Sequence, residues 1–173
     1  MSDFIGQIPK ERHKAAPRRG EVPSSPSAEM ALVAAIMLDE RQAWDENVHG
    51  FVSPDDFFTD EYRWVYQAEL WLREHGDPVT IPTVAWALSE LGHIDDVDAR
   101  TGGTEPFLGH LCAEWMLSAW GCSRWAKMIR TYAQAREQIR LGAQIARDGY
   151  AGKITTLPVT PLYERDEYAG AVI

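Results

Sequence analysis

Apolar side chains recur three and four positions apart along most of the chain, the spacing of a helix that buries one face. No stretch of useful length alternates apolar and polar residues as a half-buried strand would. The clearest case is "LREHGDPVTIPTVAWALSELG", residues 72–92, which predicts two helices joined by a short elbow. The first ends at Gly76, and the second starts at Thr80, a favourable N-cap, with Pro82 in its first turn. Ile81, Val84, Ala85, Leu88 and Leu91 fall on one face of the second helix, and Trp86 falls on roughly the opposite side.

The same periodicity predicts further helices on either side. "SAEMALVAAIMLDE" is a compact apolar helix with Ser27 as its N-cap and Glu29 in the favourable first turn. A second helix is expected from Arg41 to Val48. "SPDDFF" then reads as a short helical turn capped by Ser53, with Pro54 at its first position. A long helix covers about Asp60 to Glu74, its apolar arc made by Tyr62, Val65, Tyr66, Ala68, Leu70 and Leu72. After the elbow, "DDVDARTGGT" is expected to be a polar, mobile loop. A helix around Pro106 to Glu114 follows, and a last one runs from about Gly121 to Gly149, with Gly149 as its C-terminal cap. Pro158 and Pro161 break any helix in the tail. The expected fold is all-α: a multi-helix head over 27–150 that ends in one long helix. It is flanked by a flexible, basic, Pro/Ser-rich leader over 1–26 and an irregular tail over 151–173.

Composition narrows the functional classes. At 173 residues and 45% hydrophobic content the chain supports a single packed domain. No apolar run has the length of a membrane span, and the first residues lack a signal-peptide core, so a cytoplasmic location is expected. A formal net charge of -9 argues against a protein whose main task is to neutralise a phosphate backbone, although it leaves room for a local basic surface. Cys112 and Cys122 are too few for a disulfide framework and read as reduced, packed thiols.

Patterns that carry chemistry are scarce. "GKIT", residues 152–155, is a near miss for a phosphate-binding loop, with Ile154 where a hydroxyl must stand and Arg147 where the first glycine must stand. His110, Cys112 and Cys122 have no metal-ligand spacing, since residues two apart on a helix do not share a face. No nucleophile motif is present, so neither catalysis nor a cofactor is expected.

Two features stand out instead. The chain holds seven tryptophans, Trp44, Trp64, Trp71, Trp86, Trp115, Trp120 and Trp125. Trp125 lies on the apolar stripe of the last helix and reads as core. Trp64 and Trp71 share a stripe at the edge of the long helix's arc, and Trp86 is off-face. Exposed aromatics on an acidic protein favour protein contact over base stacking. The last helix carries Arg124, Lys127, Arg130, Arg136, Arg140 and Arg147 against Glu137 and Asp148 alone. Such a basic element suits nucleic acid, or the acidic face of a neighbouring subunit or partner, or simply solvent. The candidate partner-binding residues are therefore Trp64, Trp71, Trp86, Arg124, Lys127, Arg130, Arg136 and Arg140.

In order, the segments resemble the N-terminal domain of the DnaB-type replicative helicases. "PSSPSAE", Pro23 to Glu29, and the following "IMLDE" match the way that family opens its domain. "SPDDFFTDEYRWVYQAELWL" is similar to its Asp-Phe-Phe/Tyr segment and next helix, with Tyr62 in place of the usual histidine. "HGDPVTIPTVAWALSELGHI" is similar to its Gly-x-Pro-Val/Ile-Asp elbow, with Thr80 in place of the aspartate. "TGGTEPFLGHL" and "REQIRLGAQIARDGY" resemble its Gly-Gly stretch and its Arg-Glu helix ending in Gly-aromatic. The likeness covers about residues 23–150.

The resemblance implies a non-catalytic helical head that contacts primase and loader proteins, with a long helix that packs subunits together, while the motor is a separate RecA-like domain. It points to an interaction module of DNA replication that binds helicase, primase or loader, and to a homodimer through the long helix. A DNA-binding accessory protein that uses the basic leader and long helix is an alternative, as is the N-terminal piece of a split or truncated helicase. Two departures from the family pattern are notable. The place of its second hairpin helix holds "KITTLPVTPLYERDEY", and Trp71 and Trp86 stand where it usually has polar side chains.

Overall fold

The computed structural model describes residues 21–39, 41, 43, 48, 50–115 and 121–153, with the side chain of Trp115 left aside. Among the described residues, six α-helices and one 3-10 turn can be delimited: α1 (Pro26–Leu38), the turn Pro54–Asp56, α2 (Asp60–His75), α3 (Ile81–Glu90), α4 (Ile94–Thr101), α5 (Thr104–Trp115) and α6 (Cys122–Tyr150). The chain divides into two units at Glu137/Gln138, inside α6. The all-α expectation holds for the described residues. The leader before Glu21, the tail after Lys153 and most of the expected Arg41–Val48 helix lie outside them.

In the first unit α1 is the central element. Ala28, Ala31, Leu32, Val33, Ala34, Ala35 and Ile36 are all buried, so the helix has no solvent side over most of its length, and it packs against α2 and α5. Its start differs from expectation by two residues. Pro26 occupies the first turn and Ser25 is the cap residue, because a proline lacks the N–H that a first-turn position does not need. The carbonyl of Ser25 accepts from the N–H groups of Ala28 and Glu29 at 2.9 and 3.1 Å.

Helix α2 places acids in its first turn and Arg73 and His75 in its last, which suits the helix dipole. It stops at Gly76, whose φ of 75° is the left-handed conformation that glycine adopts without a Cβ clash. The Asp77 N–H returns to the Leu72 carbonyl at 3.0 Å and fixes the exit direction of the elbow. On the far side Thr80 and Thr83 cap α3 reciprocally. The Thr80 N–H donates to Thr83 Oγ1 at 2.8 Å, and the Thr83 hydroxyl donates to the Pro78 carbonyl at 2.6 Å. Helices α2 and α3 therefore pack as a hairpin with a stiff corner.

The expected mobile loop at "DDVDARTGGT" is instead mostly helix, α4. Its polar residues are punctuation rather than evidence of disorder. Asp95 and Asp96 sit in the first turn, Val97 is the one buried residue, and Gly102 closes the helix at φ 81°. Asp98 then caps the next helix, accepting from both the N–H and the hydroxyl of Thr104 at 2.6 and 2.7 Å.

Two buried groups on α2 lie in the core. Glu69 interrupts the apolar arc and is fully buried. Tyr66 is also fully buried, its ring 5.0 Å from that of Phe57 and its hydroxyl donating to the Val52 carbonyl at 3.1 Å. Burial, and then the nearby Glu69 and Asp56 charges, push the Tyr66 phenol well above the ordinary tyrosine range. A group whose folded-state pKa is raised contributes stability that is complete below its unfolded pKa, about 10 for tyrosine, and that is lost as pH climbs toward the folded value. Urea unfolding across alkaline pH should accordingly show stability falling above about pH 10. Tyr66→Phe should cost about 1 kcal/mol at neutral pH and flatten that fall, and an unchanged alkaline slope would refute the assignment.

Candidate interaction surfaces

The α2–α3 corner brings two of the predicted residues together. Trp71 is half-buried against the core and Trp86 is 47% exposed. Their ring centroids lie 5.1 Å apart at an interplanar angle of 73°, the edge-to-face geometry that indole quadrupoles favour. His75, one turn on from Trp71, stacks on it at 3.9 Å. Since a carbonyl can only accept, His75 Nδ1–H donates to the Trp71 carbonyl at 2.7 Å. Trp86 is thus an exposed aromatic on a rigid support. It leaves the apolar stripe of its own helix because it is propped against the neighbouring one.

Trp64 does not join this surface. It is 9% exposed, with the His93 ring stacked at 5.3 Å and the Arg100 guanidinium 5.0 Å from its ring centre. Although Trp64 and Trp71 share a stripe on α2, α4 closes over the first. The closure could not be read from a sequence in which α4 looks like a loop. Trp125 is buried, as its stripe position predicts. The side chains of Trp44, Trp115 and Trp120 lie outside the described residues.

The basic residues of α6 separate into two groups. Arg130, half-exposed, and Arg136 reach across to the turn Pro54–Asp56. One Arg130 nitrogen donates to both carboxylate oxygens of Asp56, at 2.7 and 3.0 Å. Arg136 donates to the Pro23 carbonyl at 3.0 Å and to the Asp56 carbonyl, and its guanidinium lies 5.7 Å from the centre of the Phe58 ring. Asp56, only 5% exposed, also accepts from the Ser53 N–H at 2.8 Å. Both arginines are thus engaged by the protein's own groups, although the Arg130 side chain keeps 44% of its surface exposed. Arg124, Lys127 and Arg140 remain exposed. The first two line an open groove of about 430 Å³ with Ser123, Met128, Thr131 and Tyr132.

Two carboxylates that hold the fold together escaped the sequence reading. Glu29, read only as a first-turn acid, is buried and accepts from the N–H groups of Phe58 and Thr59 at 2.9 and 3.0 Å. Asp56, read only within its own turn, reaches an arginine 74 positions away. Neither partner is detectable by spacing along one helix. Among the described residues no group of three or more His, Cys, Asp or Glu converges as a metal site would, and no helix is long and apolar enough to cross a membrane.

This arrangement of helices matches a known one. Residues 21–130 match the family described as DnaB-like helicase N terminal domain. The chain belongs to that family. The Replicative DNA helicase DnaB of Haemophilus influenzae is 30% identical over 131 residues, covering 76% of this chain and 26% of the relative. The Geobacillus stearothermophilus Replicative DNA helicase DnaB is 27% identical over 128 residues, covering 74% and 26%. This DnaB-type domain thus spans about a quarter of the length of the curated relatives it matches. A crystal structure of the N-terminal domain of DnaB helicase from Mycobacterium tuberculosis superposes with a TM-score of 0.68 at 26% identity, covering 76% of this chain and 89% of that one.

The Asp56 anchor is testable in this DnaB-type domain. Replacing Asp56 with Ala removes a buried acceptor of charged and backbone donors and should cost about 2–3 kcal/mol in urea unfolding. Arg130→Met, at a half-exposed position, should cost about 1 kcal/mol. Losses below about 0.5 kcal/mol for both would show that the pair does not hold α6 in place.

Proposed function

We propose that this domain is a non-catalytic interaction module of DNA replication, working in the cytoplasm, that binds a helicase, a primase or a helicase loader through its helical head. The family likeness supports a replication role. The observation that carries the interaction reading is Trp86, 47% exposed and braced by Trp71 at 5.1 Å. A large aromatic held in one orientation loses little entropy on binding, which is what interface anchors require.

The groove lined by Lys127, Arg124 and Tyr132 supports a second reading, direct contact with DNA. Such contact would weaken steeply with salt, and the absence of any DNA shift at moderate salt would end it. Pairing of two copies through α6 is a further proposal, motivated by Ile139 at 56% and Ile145 at 36% exposure. Light scattering at micromolar concentration checks it, and a monomer would overturn it.

The main reading predicts a separation of folding from binding. Trp86→Gln should lose about 1 kcal/mol of stability, the worth of an edge-to-face pair, while capture of the host's helicase or primase falls at least about ten-fold. Trp71→Gln should lose more stability because that ring also packs on the core. Capture of both partners at the level of the unsubstituted chain by Trp86→Gln would refute the reading.

A further inference from the structure

Among the described residues two arrangements are built on a tryptophan with a stacked histidine, and in one of them an arginine guanidinium lies over the indole. At Trp64 the His93 ring stacks at 5.3 Å and the Arg100 guanidinium lies 5.0 Å from the indole centre. The same guanidinium bonds to Asp60 at 3.1 Å and meets Glu61 at 3.5 Å. This is a complete arginine receptor: an indole face for the flat cation and two carboxylates for its N–H groups. At the α2–α3 corner the same parts recur without an arginine among the rings they bring together. Trp71 carries a stacked histidine, His75, at 3.9 Å, and Trp86 stands perpendicular to it. A perpendicular pair leaves at least one indole face uncovered by the other ring.

Charge around the corner has the matching sign. Glu74 follows Trp71 by three residues and Glu90 follows Trp86 by four, so each acid flanks its tryptophan on the same helical side. Both are exposed. Arg73, the nearest cation in sequence, lies about 160° round α2 from Trp71 at the helical 100° per residue, and its charge is felt by Tyr66 in the core instead. Two carboxylates beside an open indole repel phosphate and attract a cation.

We infer that the Trp71–Trp86 corner, framed by Glu74 and Glu90, is a receptor for an arginine side chain on a peptide segment of a partner protein. The inference rests on the reading that this corner is the docking face, and it names the chemistry of what docks there. Arginine fits better than lysine, because a planar guanidinium can lie flat on the indole and still present N–H groups at its edge to a carboxylate.

The test uses the ¹⁵N-labelled full chain and its indole N–H resonances, with Trp71 and Trp86 assigned by substitution. The probe is an uncharged-ended Gly-Arg-Gly-Arg-Gly peptide, compared with the same peptide carrying citrulline, which keeps the shape and loses the charge. Saturable shifts of the Trp71 and Trp86 indoles with the arginine peptide alone are expected. The Trp71 shift should vanish in Trp86→Gln, and Glu74→Gln with Glu90→Gln should weaken binding about three-fold or more. The double acid variant leaves the aromatic packing untouched, so it still decides the matter if Trp86→Gln folds poorly. Equal shifts with citrulline, shifts with a glutamate peptide or a thymidine oligonucleotide, or concentration-dependent shifts without peptide that reveal a second copy as the occupant would each overturn the inference. If Trp86→Gln abolishes partner capture while the arginine peptide moves neither indole, docking stands and the arginine receptor falls. If the peptide binds but capture survives the substitution, the receptor stands and the docking reading falls.

Discussion

Glu29 is 1% exposed, and a carboxylate so buried must be satisfied from within the protein. Its two oxygens take the N–H groups of Phe58 and Thr59, the last donors before α2 begins. The central helix and the start of the longest head helix are thereby held by one side chain. The attachment of α6 depends on that junction: the short turn before it carries Asp56, Asp56 holds Arg130, and Arg136 binds the backbone of the same turn and of Pro23. A chain of charge-assisted bonds thus runs from α1 through the loop to α6, across sequence separations from 29 to 113 residues. Each link removes one degree of freedom from an otherwise apolar packing of helices.

Most of the fold was legible because its helices obey local rules. The apolar arcs of α2 and α3, the stop at Gly76 and the Thr80 cap come from spacing and end chemistry that a linear pattern records, whereas α6 runs through the expected cap Gly149 to Tyr150, and Gly152, at φ 68°, takes the left-handed turn instead. The failures share a cause. Helix α4 has one buried residue, Val97, so it lacks the stripe that marks a helix, and its stability comes from neighbours. The α1 start shifted because Ser25 and Ser27 are equally good cap residues by type, and Pro26 decides between them.

The candidate site was legible in outline only. That Trp86 leaves its helix's apolar face is a statement about one helix, and it carried over. That Trp64 is buried while Trp71 meets Trp86 depends on which helix crosses which, and sequence spacing along α2 holds no such information. The basic helix teaches the same lesson. Its arginines look equivalent along the chain, yet the burial of Asp56 selects Arg130 and the carbonyls of Pro23 and Asp56 select Arg136. A charge stripe along one helix does not tell which of its cations the protein's own carboxylates and carbonyls will engage.

The all-round burial of α1 has a consequence for how such a domain can change over time. A helix without a solvent side offers sequence drift almost no neutral position, since any altered side chain meets either a gap or a clash. The α2–α3 elbow is instead fixed by local bonds at Gly76, Thr80 and Thr83, so an exposed position beside it such as Trp86 can change while the frame beneath stays the same. A scaffold built this way can therefore alter its exposed corner without having to rediscover how to fold.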